Sequence, residues 1–235
     1  MCSLRPRGIA AKGALNTMGI EVHTKDCTAL GDADFAEMAD LSTQGAGWEV
    51  GLLSKQAEEW VLVTQAYDDA KLKGFIFSTL ERVGGTPALA IGLGCVGPTR
   101  NRSSVLKGLM HDQLHKTFMA FPDEDVVVAT RINGTGPLEA MVGLQGVRPW
   151  PETRPNGEER AWGRRLAKRF GATGFDDRSM VATGDGNNLV FDYASLKKSK
   201  NDAIFADCSR RDDQHVVVWG WAMAEYLEEF ELSAS

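Results

Sequence analysis

Residues 88–114 read ALAIGLGCVGPTRNRSSVLKGLMHDQL. The first nine, 88–96, are apolar or glycine, as in a strand buried on both faces. Gly92, Gly94 and Gly97 punctuate its end, and a basic, polar turn runs from Pro98 to Arg102. Beyond the turn, Leu106, Met110, Leu114, Phe118 and Phe121 recur at helical spacing as one apolar stripe, which Pro122 ends. EDVVVATRI (124–132) is a second buried strand. Strand, helix and strand in this order predict a crossover that leaves 88–96 and 124–132 parallel.

Upstream, WVLVTQAY (60–67), LKGFIFSTLERV (72–83) and the strand at 88–96 are separated only by the turns DDAK and GGTP. Connections this short predict an antiparallel meander. Before it come a strand at IEVHTKD (20–26), a helix capped by Asp32 and stopped at Gly45, and a second helix at 49–60. Downstream, GPLEAMVGLQG (136–146) reads as a helix ended by Gly146. RPWPETRPNG is a proline-rich loop, and EERAWGRRLAKRFG (158–171) is a helix stopped by Gly171. RSMVAT, NLVFDYA and HVVVWGWA have strand character, KKSKNDA (197–203) has that of a surface loop, and MAEYLEEFEL that of a final helix.

The 235 residues, 43% of them hydrophobic, suffice for one substantial core. The predicted organisation is a flexible extension over 1–18 and a single α/β domain over 19–235, whose C-terminal extension begins near 148. The extension carries Arg5, Arg7 and Lys12 without an acid, the composition of a transit peptide, and Met18 offers an alternative start. A net charge of −6 disfavours a nucleic-acid partner, although Arg164, Arg165, Lys168 and Arg169 make one helix face basic. Cys2, Cys27, Cys95 and Cys208 are dispersed, which argues against a disulfide framework or zinc ribbon and for a reducing, cytoplasmic setting. No apolar run reaches the ~18 residues of a membrane helix. A homodimer is left open.

Two readings of the 88–114 stretch compete. The first takes G-x-G-x-x-G at 92–97 as a dinucleotide fingerprint, with Arg131 facing the 2′-phosphate of NADP in a reductase. Against it, the helix begins several residues late, no further βαβ units follow, and an antiparallel meander precedes. The glycines then mark a strand thinned for a close neighbour. The second takes the helix start as an anion site. Backbone N–H groups there point outward, Arg100 and Arg102 add charge-assisted donors, and Asn101, Ser103 and Ser104 add neutral ones.

The order strand, two helices, three antiparallel strands, helix, parallel strand, helix over about 20–147 resembles the GNAT N-acyltransferase superfamily. Val96 and Pro98 match the family's V-x-P. Arg100 takes the first basic position of the following turn, while Ser103 and Val105 stand where glycine and Gly/Ala are usual. The resemblance implies a mixed sheet splayed between 88–96 and 124–132, and acetyl-CoA or another acyl-CoA as co-substrate. It implies a pantetheine arm paired with backbone at Gly94, Cys95 and Val96, a pyrophosphate on Arg100, Asn101, Arg102, Ser103, Ser104 and Val105, and Asn133 just after the second strand. It further implies transfer of an acetyl or other short acyl group to a primary amine, which approaches from the early helices and the 148–157 loop.

The residues that would perform catalysis are less legible. The glutamate often found on the strand before the crossover is missing from 88–96. Met141 stands near the place of the family's tyrosine acid, and no tyrosine lies in that segment. Glu81, Glu139, Tyr67 and Glu49 are the nearest candidates by position. These losses also suit a catalytically silent module that keeps the fold as a binding surface. His111 and His115 have the i, i+4 spacing of a zinc pair, with His23, His215 or a carboxylate as a third ligand, but they flank the apolar stripe of an ordinary amphipathic helix, and no metal is expected. Cys95 reads as a core cysteine.

Overall fold

The computed structural model describes residues 19–45, 47–151, 153–184, 190–193, 200–208 and 213–232. The 1–18 extension and part of the 197–203 loop lie outside them. The meander forms as three long strands, β2 (Leu62–Asp68), β3 (Lys71–Val83) and β4 (Thr86–Val96), with β1 (Ile20–Asp26) added antiparallel to β2. Helices α1 (Asp32–Ser42) and α2 (Val50–Glu59) fall between β1 and β2, and α3 (Arg102–Ala120) carries the chain over to β5 (Val126–Ile132).

β4 and β5 are parallel, with Ala88 to Ile91 opposite Val127 to Thr130. Past β5 the chain makes a 3-10 helix at Gly136–Met141 and a short strand β6 (Gln145–Arg148), then α4 (Gly157–Arg169), β7 (Gly174–Asp176), β8 (Val181–Thr183), β9 (Phe191–Tyr193), β10 (Gln214–Ala222) and α5 (Ala224–Leu232). All ten strands share one sheet, ordered β1-β2-β3-β4-β5-β10-β8-β7, with β6 beside β10 and β9 beside β4.

The helix expected over 136–146 is therefore a correction. Gly143 and Gly146 take φ of +92° and +61°, the left-handed region that ends a helix rather than continuing it. The first helix is also capped one residue earlier than expected, by Gly31, whose N–H donates to the Asp34 carboxylate at 2.9 Å. At α4 the capping is reciprocal, since Asn156 accepts from Glu159 N–H and Glu159 accepts from Asn156 N–H.

Both faces of the sheet are covered, which explains why β5 and β10 read as unbroken apolar runs. Val126 and Val128 of β5 join the core beneath α3 and α5, and Val127 and Ala129 join the core beneath α1, α2 and α4. The core beneath α3 also contains a polar chain. Ser78 Oγ donates to Gln113 Oε1 at 2.8 Å, Gln113 Nε2 donates to Thr64, and Thr64 meets Thr24, which donates to Asp112. This chain fastens the middle of α3 to β1, β2 and β3. No helix among the described residues is long and apolar enough to cross a membrane.

Candidate functional site

The site is shaped by an irregularity in β4. Phe77 of β3 pairs with Leu93 and Ser78 pairs with Ile91, so Gly92 is the extra residue of a β-bulge. The bulge reverses which side chains face which layer. Leu89 and Ile91 lie in the core under α3, whereas Leu93 and Cys95 lie in the core under α1, α2 and α4. Pairing with β5 ends at Ile91, directly before the bulge. A bulge bends and twists its strand, and here the two parallel strands part where it occurs.

Gly92 lies against the Trp60 indole, and an added Cβ would stand 1.9 Å from its Cε2 atom. Trp60 is itself held by a 3.1 Å bond from its Nε1–H to Gln56 Oε1, and the Arg169 guanidinium lies 5.0 Å over it. Gly97 abuts Leu41 and donates its N–H to Lys73 O at 3.0 Å. Two of the three glycines thus accommodate protein on the α1/α2 side.

The NADP reading is overturned by the same geometry. Gly92 and Gly94 sit within β4, and α3 starts only at Arg102. Arg131 is 1% exposed, with its guanidinium 5.3 Å over the Phe170 ring. Burial pulls its pKa down to about 10, opposed by the charge of Glu59. It is a core cation, not one offered to a ribose phosphate.

Beyond the bulge, the free side of β4 has another partner. Gly94, Cys95 and Val96 pair in parallel with Phe191, Asp192 and Tyr193 of β9. Phe191 is fully buried, and its ring lies 2.7 Å from where a Cβ on Gly94 would stand. The strand edge at Gly94, Cys95 and Val96, assigned from sequence to a pantetheine arm, is held here by the chain's own backbone. NLVFDYA was legible as a strand, but its place beside β4 had no local signal.

The basic turn lies at the mouth of this opening. Arg100 is exposed and Arg102 half-buried, and Asn101 precedes the helix as its cap residue. Arg102 N–H donates to Thr99 O, and Ser104 and Val105 donate to Asn101 O, so these three amides are used inside the chain. Val105 is a core residue, 1% exposed, beneath Gly74. Of the sequence-assigned anion ligands, the Arg100 side chain, the Asn101 side chain and the first turn near Ser103 remain at the surface. Asn133 is exposed just past the end of β5. From Ser103 a cavity of about 610 Å³ runs along α3 past Lys107 and His111 toward Tyr226 and Phe230 of α5.

The four catalytic candidates are not brought together. Glu81 is bound to Arg169 of α4 and sits toward the β3–β4 turn, away from the splay. Glu49 is the exposed residue before α2. Glu139 is exposed at the rim of the α3 cavity. Tyr67 is the penultimate residue of β2, with its pKa pushed up to about 12, first by burial and then by Glu37 and Asp34. The His111 ring stands edge-on to Phe230 with centroids 4.9 Å apart. Among the described residues, no group of three or more His, Cys, Asp or Glu side chains is placed to hold a metal. Cys95 is 2% exposed in β4.

The meander, the crossover helix and the splayed parallel pair are now in place. The fold is GNAT-like. No family model matches the sequence, and no curated protein matches it. Solved structures resemble it over part of its length. A GNAT family acetyltransferase from Brucella melitensis in complex with acetyl-CoA is 18% identical, with 46% of this chain and 74% of that one covered, at a TM-score of 0.34. The ribosomal-protein-S18-alanine N-acetyltransferase from Escherichia coli is 11% identical over 58% and 86%, at 0.37. An acetyltransferase of the GNAT family from Bacillus cereus is 11% identical over 56% and 89%, also at 0.37.

Proposed function

We propose that this GNAT-like chain is an acyl-CoA-dependent N-acyltransferase that moves an acetyl or other short acyl group to a primary amine. The observation that carries the reading is the pairing at Gly94–Val96. Once β5 has diverged, the open side of β4 accepts an extended, amide-bearing chain in parallel register. A pantetheine arm is such a chain, with two amides at strand-like spacing. The basic start of α3 adjoins the same end of β4, where a pyrophosphate attached to that arm would lie.

The chemistry asked of the protein is modest. The neutral amine attacks the thioester carbonyl, the C–S bond breaks, and the thiolate leaves with a proton while the amine nitrogen loses one. The sequence of β4 supplies no carboxylate, histidine or tyrosine at the splay. Rate then comes chiefly from holding thioester and amine in contact, which for well-oriented pairs is worth ~7–11 kcal/mol. The acceptor side faces α1 and α2, where Trp48 packs edge-on to Phe75 at 6.1 Å. The missing glutamate in β4 and the missing tyrosine over 136–146 suit one rival: a catalytically silent module.

Replacing Arg100 and Arg102 together by alanine should weaken CoA by about ten- to a hundredfold. A charge-assisted hydrogen bond contributes ~1.5–3 kcal/mol, and ~1.4 kcal/mol is tenfold in affinity. The lower end applies because Arg100 is exposed. Pantetheine, which lacks the pyrophosphate, should bind the variant and the wild type alike. Isothermal titration of both proteins with both ligands decides the matter. Equal CoA affinities would make the turn a solvated helix start and remove the anion site. A wild-type amine screen with acetyl-CoA, read by release of free thiol, separates the transferase from the silent module.

A further inference from the structure

β9 is a strand of three residues, Phe191–Tyr193, lying in the gap between β4 and β5 and against the 3-10 helix at Gly136–Met141. It is anchored by one large side chain. Phe191 has no exposed surface and fills the space left by the missing side chain of Gly94, next to Ile76. Val190 beside it is 2% exposed. The backbone it occupies is the stretch that the acyl-CoA reading requires.

We propose that β9 is an internal competitor for the cofactor slot: acyl-CoA binds only when Phe191–Tyr193 leave β4. This rests on the acyl-CoA reading above. Two ligands cannot share one strand edge, because each backbone N–H and C=O on that side of β4 serves one partner. A three-residue parallel ladder is also among the least stable ways to hold a strand. Its release breaks a ladder of only three residues and uncovers Phe191 with Val190 beside it, so opening is a local event that leaves the rest of the sheet paired. The slot then exists in two states, closed by β9 or open to the cofactor. The apparent dissociation constant exceeds the intrinsic one by the reciprocal of the open fraction. Whatever draws β9 away raises affinity without touching the cofactor.

The test compares wild type with Phe191→Ala and the milder Phe191→Leu by isothermal titration with CoA. Far-ultraviolet circular dichroism checks that each variant is folded. Phe191→Ala should bind CoA at least tenfold more tightly than wild type, with Phe191→Leu between the two. In wild type, saturating CoA should speed hydrogen exchange at the amides of 190–193 at least tenfold, since their strand is displaced. That second measurement needs no variant. If all three proteins bind CoA equally and exchange at 190–193 is unchanged or slower, β9 is a permanent strand and the competitor is refuted; CoA binding then stands, but at a place other than Gly94–Val96. If none of the three binds CoA, the acyl-CoA reading falls and the competitor falls with it.

Discussion

Gly92→Ala is expected to destabilise the protein by about 3 kcal/mol, the upper range for forcing an extra group into a packed interior. For a chain of this size, ~1 kcal/mol moves the melting temperature by ~2–4 °C, so a fall of about 6–12 °C follows. The cause is specific. The new methyl group would overlap the Trp60 indole, 1.9 Å from Cε2, and Trp60 has little room to retreat. It is 6% exposed, bonded to Gln56, covered by Arg169, and tilted against Phe170 with ring centroids 6.4 Å apart. Bulge geometry resists equally, because both neighbours of Gly92 are paired to β3. Trp60→Leu should relieve the clash, so that the double variant is less destabilised than the two single losses added together. Chemical denaturation of the four proteins gives the coupling. A Gly92→Ala protein within 1 kcal/mol of wild type would show that the bulge is not held by the indole.

Gln113→Leu should cost about 2–4 kcal/mol, although it changes volume little and replaces a polar group in a buried place. Gln113 is fully buried, as are Ser78 and Thr64 on either side of its amide. Its removal takes the acceptor from Ser78 Oγ and the donor from Thr64 Oγ1. Each stranded polar group carries a penalty of ~1–3 kcal/mol, larger than the net gain from an ordinary hydrogen bond. Thr64 keeps its contact with Thr24, which holds the total below the full sum. Adding Ser78→Ala to Gln113→Leu should recover part of the loss, since deleting both partners of a bond leaves nothing unsatisfied at that end. Urea midpoints at constant slope would measure both steps. A neutral Gln113→Leu would mean that the polar chain contributes nothing to fastening α3.

Much of the architecture was legible because it depends on local signals. Apolar runs at 62–68, 71–83 and 86–96, separated by turns of a few residues, specify a meander wherever they occur. A helix with one apolar stripe between two buried strands specifies the crossover, and β4 and β5 are parallel as that rule requires. The site was harder to read, because its determinants are distant in sequence. Gly92 mimics the first glycine of a phosphate-binding turn, and only Trp60, far upstream, explains it. Arg131 has the sequence of an available cation, yet Phe170 and the surrounding strands enclose it. β9 finds its partner across nearly a hundred residues of chain, and no pattern within NLVFDYA names β4. The 136–146 segment failed for a simpler reason: Gly146 was read as the helix stop, whereas the helical turn ends at Met141, before Gly143, and Gly146 belongs to β6.

The bulge also sets a rule of parity for this gene product. Before Gly92 the even-numbered residues Ala88 and Ala90 face the layer of α1, α2 and α4; after it the odd-numbered Leu93 and Cys95 do. Loss of the Gly92 codon would restore simple alternation and leave Leu93 and Cys95 on that layer, whereas gain of one codon in β4, without a second bulge, would turn them toward α3, with Val96 sent the opposite way. A change of the same length in the β3–β4 turn merely reshapes exposed chain at Gly84 and Gly85. In β4 an added residue inverts everything downstream, including the cradle for Phe191. The length of this one strand is therefore as much a part of its information as the identities of its residues.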